Sequence, residues 1–378
     1  MGIARRAVWI LAAVLALAGA MLPLRAVASG GGRTVTIGVD HRTPRGHNFE
    51  YVDFFPRHGT KVHGGDVLDF RWGLTPDGLH NVHLLRTGET PAQAYQERPF
   101  VVPDPDDGPA QLQLNPAVLS PSDPSCGTAA TPCTFDGRDL NSGAKPTDGK
   151  NAFLVKLDVP PGTTVRYVCE IHHNMQGSVR VVRNDVPRTP LSVVRQRANA
   201  QARADTKAAF KAERAANHVT VIQHHPDGTR TLKLIAGTAA PHVEVAEMLP
   251  RRAHIKAGDE VRFKTRTLVD PHTVTFPSGS EEAEPLPEFC ESPSGDVSAE
   301  GQNPPCGGDL SLFEVHFEPQ PVGPTAVTAP DTVASSGVIG PPGSPLPLKY
   351  TFSFPNRGTF GYFCHIHPRQ MVGTLVVR

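Results

Sequence analysis

Tyr167-Val168-Cys169-Glu170-Ile171-His172-His173-Asn174-Met175-Gln176-Gly177 places a thiolate, an imidazole and a thioether within seven residues, and the alternating Val179 and Val181 follow. A short loop at the end of a strand can aim three such ligands at one point. The chain repeats the arrangement at its C-terminus in Tyr362-Phe363-Cys364-His365-Ile366-His367-Pro368-Arg369-Gln370-Met371-Val372-Gly373, which runs into Leu375 and Val377.

Working outward from the two loops, the halves can be laid over one another. Pro56 maps to Pro250, Asp66 to Asp259, His80 to His272, Ser142-Gly143 to Ser336-Gly337, Cys169 to Cys364 and Met175 to Met371, at offsets of 192 to 196 residues. So steady an offset marks a tandem duplication. It also supplies a fourth ligand for each loop, because His80 and His272 stand at the same place upstream of each cysteine.

A thiolate with two imidazoles and a weak axial thioether suits copper cycling between Cu(I) and Cu(II), since soft sulfur favours the reduced ion and imidazole accepts both. Zinc favours four strong ligands and seldom takes methionine, and no C-x-x-C redox motif is present. The expected metal ligands are therefore His80, Cys169, His172 and Met175 in one half, and His272, Cys364, His367 and Met371 in the other, with one copper each. His173, His365 and His83 are set aside because the repeat does not reproduce them, and His224-His225 reads as a surface pair.

Both halves resemble cupredoxins, the plastocyanin, amicyanin and azurin-like blue copper proteins. The likeness rests on Leu-His-Asn-Val around His80, on the loop from Cys169 to Met175, on Pro-His-Thr-Val-Thr-Phe around His272, and on Cys364, His367 and Met371. It covers most of both halves apart from the insertions and the linker. It implies an all-β chain of two Greek-key β-sandwich domains, and single-electron transfer at a type 1 site in each. Two departures stand out. The second loop is C-x-x-H-x-x-x-M, one residue longer than the first, which makes the axial place of Met371 less secure than that of Met175. Asn81, which in this family braces the loop through hydrogen bonds, is Thr273 in the second half.

The rest of the 378-residue chain fits this frame. Arg5 and Arg6, an apolar run from Ala7 to about Leu24, and Ala26-Val27-Ala28 read as a signal peptide over residues 1–28, so export to the periplasm, cell surface or medium is expected. Removing Arg5, Arg6 and Arg25 leaves 34 basic residues against 37 acidic ones, a balance that argues against a nucleic-acid partner. No second hydrophobic segment appears, so the mature chain is not expected to span a membrane. Thirty-eight Pro and 35 Gly suit a β-rich, loop-rich chain.

Strand alternation runs through Val35, Ile37 and Val39, through Phe153 to Val159, and again from His218 onward, giving sandwich domains over 29–186 and 218–378. Between them lies a linker over 187–217. Its Ala, Arg, Lys and Gln residues from Leu191 to about Ala216 predict a helix of about 40 Å, starting from a Thr189-Pro190 cap, with the solvated reading favoured over a docked one. Cys126 with Cys133 and Cys290 with Cys306 read as disulfides stapling Pro-rich insertions, which leaves Cys169 and Cys364 as thiols.

The expected function is electron transfer between redox partner proteins, with His172 or His367 as the surface exit. The competing readings are a copper oxidase or nitrite reductase-like enzyme, which would need further His-bound copper, and a copper storage or delivery protein. Val168 and Phe363 precede the cysteines where a wiring histidine would be expected, and His365 is the one feature favouring the enzyme.

Overall fold

Alternating apolar residues in the first half turn one face inward: Val35, Ile37 and Val39 are buried while Thr34 and Thr36 face solvent. In a computed structural model the described residues are 32–103, 112–280, 288–291, 297–299, 313–315, 321–344 and 346–378. The signal peptide expected over residues 1–28 lies outside them.

The first half packs two five-stranded sheets face to face. One runs Cys133–Phe135, Ala152–Leu157, Val67–Trp72, Thr34–Val39, Phe54–Phe55; the other runs Leu140–Asn141, His83–Leu84, Thr164–Val168, Gln176–Val181, Thr60–Val62. Leu68, Phe70, Val155, Leu157, Tyr167, Val179 and Val181 fill the space between them, each fully buried apolar side chain contributing about 1.5–3 kcal/mol. The second half repeats this. A seven-stranded sheet built on Val243–Leu249, Arg230–Ala240, Glu260–Arg266 and Lys349–Ser353 faces one that includes Arg252–Ile255, Val372–Val377, Gly358–Phe363 and Thr275–Phe276. Phe263, Phe276, Phe352, Phe354, Phe360 and Tyr362 dominate its core.

Local expectations fare unevenly. Pro76-Asp77-Gly78 reads as a turn but runs inside the strand Leu74–His80, which is paired with Lys145–Asp148. The stretch after Thr87 is more ordered than its composition suggests. It forms the helix Pro91–Glu97 with a Thr90 capping box, and a strand carrying Cys133 that joins the first sheet. Cys126 and Cys133 are bonded, as expected. Cys306 lies outside the described residues, and the second expected pairing with it.

The helix Leu191–Ala216 forms where the sequence places it, but it is docked, not solvated. Ala202, Ala209 and Ala216 lie against Phe49, Tyr51 and Phe55 of the first half and Ile235, Val243, Val245 and Leu249 of the second. Small side chains let the helix approach closely, and Phe210 sits edge-on to Phe49 at 5.0 Å. Gln201 Nε2 donates to Asp53 Oδ2 at 2.6 Å, and Thr206 meets the Tyr51 hydroxyl at 2.7 Å. The cap also differs from expectation: Pro190 is the capping residue, and the Thr189 hydroxyl accepts from the Lys61 N–H instead.

The halves also join directly. Phe49–Glu50, a strand of the first half, adds to the large sheet of the second, with Glu50 opposite Glu244 and Phe49 opposite Val245. Glu50 and Glu244 are themselves 194 residues apart, the spacing of the repeat. Equivalent strands therefore pair antiparallel about a local pseudo-twofold that passes through this glutamate pair, and residues 32–378 form one body.

Candidate metal centres

Each cysteine loop is held by a hairpin whose geometry depends on one glycine. Tyr167 pairs with Gly177 and Tyr362 with Gly373. A Cβ on Gly177 would lie 2.2 Å from the Tyr167 ring, and one on Gly373 would lie 2.3 Å from the Tyr362 ring. Glycine is thus required for each tyrosine to fold over its partner strand beneath the loop.

In the first half Cys169 follows the strand Thr164–Val168, and His80 ends the strand Leu74–His80. The Cys169 sulfur is 3.7 Å from both His80 Nδ1 and His172 Nδ1, and the two Nδ1 atoms are 2.9 Å apart. Met175 is fully buried in the same cluster. The Cys169 N–H donates to Met175 O, and the Met175 N–H donates to His172 O, closing the loop. Asn174 takes a positive φ of 76°, a conformation asparagine tolerates.

The second half brings together Cys364, His272 and His367, with sulfur to Nδ1 distances of 4.0 and 3.9 Å. Met371 is also fully buried. Its loop absorbs the extra residue between His367 and Met371, because the Met371 N–H reaches His367 O four residues back, where Met175 reaches three. The Cys364 N–H still donates to Met371 O, as Cys169 does to Met175.

Burial alone would push both thiols up, but the paired imidazoles outweigh it, bringing Cys169 down to about 6 and Cys364 well below the usual thiol value. Each set offers a thiolate and two imidazole nitrogens within 4.8 Å of one another, shut away from water, with a buried methionine in the same loop. Two nitrogens and a soft sulfur at one buried point fit a copper ion better than a harder cation.

The loops are braced alike despite the Asn81 to Thr273 difference. Asn81 Oδ1 accepts from the Glu170 N–H at 2.8 Å, and Thr273 Oγ1 from the His365 N–H at 2.9 Å, in each case the residue after the cysteine. The first loop has further support, from the strand His83–Leu84 and from the stretch after Thr87. Arg98 and His83 both bond Glu170, at 2.6 and 2.8 Å. Tyr95 donates to Met175 O and packs on His173, which is not among the converging donors. His365 packs on Phe363.

The outward-facing Nε2 atoms reveal residues that the sequence reading missed. His80 Nε2 lies 3.3 Å from Asp40, and His172 Nε2 lies 3.1 Å from Asp270. These carboxylates fix ring orientation and raise ligand basicity. Burial would hold His172 and Asp270 near neutrality; their pairing instead lifts His172 well above its ordinary value and takes Asp270 down to about 2. Glu50 stands at the junction, 3.6 Å from His80 Nε2, 3.7 Å from His172 Nε2 and 3.9 Å from His367 Nε2. Burial, then Asp270, raises its carboxyl to about 7. The recurrence of Glu50 at Glu244 was the available signal, an acid set among aromatic and aliphatic neighbours at the repeat spacing.

One consequence overturns an expectation. His172 and His367 are only 5% and 3% exposed and face the carboxylates between the halves, so neither is a surface exit. A separate group, His47 with Glu213 and Glu247, also meets metal-like spacing. Arg251 lies 3.2 Å from Glu247 there, which makes it an ion-pair clasp between helix and strand.

No protein-family model matches the chain, and no curated protein matches it. Among solved structures it is similar to an amicyanin mutant in the Cu(I) form, at 15% identity over 42% of this chain and 98% of that one, with a TM-score of 0.21. Dithionite-reduced auracyanin from the photosynthetic bacterium Roseiflexus castenholzii is similar at 15% identity over 41% and 100%, with a TM-score of 0.24. At such scores the likeness adds nothing to what the sheets and donor atoms show by themselves.

Proposed function

We propose that this chain is an exported electron-transfer protein with one type 1 copper in each half, and that residues 29–186 and 218–378 are duplicated domains. The observation that carries the reading is the repeated convergence of one buried thiol and two buried imidazole Nδ1 atoms. His80, Cys169, His172 and Met175 would hold one ion, and His272, Cys364, His367 and Met371 the other. The copper supplies a one-electron couple. The protein's part is to keep water out, to hold the donors in a geometry both oxidation states accept, and to fix the His80 and His172 rings through their Nε2 atoms.

No described helix is long and apolar enough to cross a membrane. With the ligand histidines buried, a redox partner cannot touch them and must dock where the path inward is longer.

The test is optical and EPR spectroscopy of copper-loaded protein alongside Cys169→Ser and Cys364→Ser. Each substitution should remove one of two intense thiolate-to-copper bands. An unchanged spectrum in Cys364→Ser would sink the two-site reading. A further copper with a type 2 signal, together with oxygen or nitrite turnover, would favour an enzyme.

A further inference from the structure

The carboxylates around the ligand rings are unequally shared. Asp40 touches His80, and Asp270 pairs with His172, both in the first centre. Among the described residues, Glu50 alone has a carboxylate within 4 Å of ring nitrogens from both centres: His80 and His172 of one, and His367 of the other. It is 2% exposed, so water does not screen it from any of the three. Its backbone is pinned by pairing with Glu244, at the local pseudo-twofold between the halves.

We propose that Glu50 is a positioning residue shared by the two centres, which makes them one coupled unit; this rests on reading both as copper sites. A single buried carboxylate facing both ligand sets stabilises the more positive, oxidised state of each. It also gives each centre a route to sense the charge of the other through the position that one side chain adopts. Coupling of this kind is reciprocal: whatever the first centre does to the second, the second does to the first.

Glu50→Gln keeps the shape and removes the charge. It should be introduced into Cys169→Ser and Cys364→Ser chains, so that each remaining centre is titrated alone. The prediction is a higher reduction potential and a Cu(II) dissociation constant raised about 10-fold at both centres. Asp40→Asn in the same backgrounds should move the first centre only. Thermal unfolding of metal-free chains checks folding; should Glu50→Gln fail to fold, Glu50→Asp, with its carboxylate drawn back from all three rings, should shift both centres in the same direction by less. A Glu50 substitution that moves one centre or neither overturns the proposal. If the parent Cys→Ser chains bind no copper, it is the underlying copper reading that has failed.

Discussion

Asp40 and Gly237 occupy one position in the two halves, three residues beyond Ile37 and Leu234, which lie opposite Phe70 and Phe263. Both have positive φ, 64° and 78°. In the first half the side chain there reaches His80 Nε2; in the second, a Cβ would lie 2.1 Å from His272 Nε2, which has no hydrogen-bond partner. Gly237→Ala should therefore displace His272 and abolish copper binding at the second centre while leaving the first intact, as metal analysis would show by a fall to one copper. Asp205 gives a pH test away from the metal. Its burial, and then Asp53, lift its carboxyl to about 6, and one oxygen has no partner. A folded-state value above the unfolded one of about 3.9 means the native chain binds more protons between about pH 4 and 6. Asp205 therefore costs stability as pH rises through that window. Asp205→Asn should raise the melting temperature of the metal-free protein at pH 7, with the gain, on the order of 1–2 kcal/mol, vanishing near pH 4. Cys169, His172, Cys364 and His367 were legible in the sequence because one loop fixes their spacing, and His80 and His272 because the repeat places them alike upstream. Asp40, Glu50 and Asp270 were not, since a carboxylate facing a ring nitrogen from another strand leaves no local pattern.

At the scale of elements, the helix Leu191–Ala216 was legible from its lack of Gly and Pro, but its docking was not. An alanine stripe is compatible with solvent or with a flat partner, and the partner, Phe49, Tyr51 and Phe55 with Ile235 and Leu249, is drawn from both halves. Ala209 is fully buried. Ala209→Leu should overpack this seam and cost about 1–3 kcal/mol, measured by urea unfolding. The hairpins make the complementary case. A Cβ at Gly177 or Gly373 meets a tyrosine ring within 2.3 Å, so Gly177→Ala and Gly373→Ala should each destabilise by about 1–3 kcal/mol and loosen copper only in their own half. The longer second loop is accommodated between His367 and Met371 without disturbing the bond from the Cys364 N–H to Met371 O.

Across the whole molecule, two similar sandwiches in one chain could stand independently. The paired strand Phe49–Glu50 and the docked helix instead tie them together, and turn both ligand sets toward a shared carboxylate. The steady offset between the halves was readable in the sequence, whereas their joining depends on contacts between residues about 200 positions apart, which no periodicity reports. The most direct test of the account is metal analysis combined with EPR on the intact, copper-loaded chain. The prediction is two copper ions per chain, both with type 1 spectra and both lost only when Cys169 and Cys364 are replaced together. One copper or none, or a spectrum dominated by type 2 copper, would contradict it.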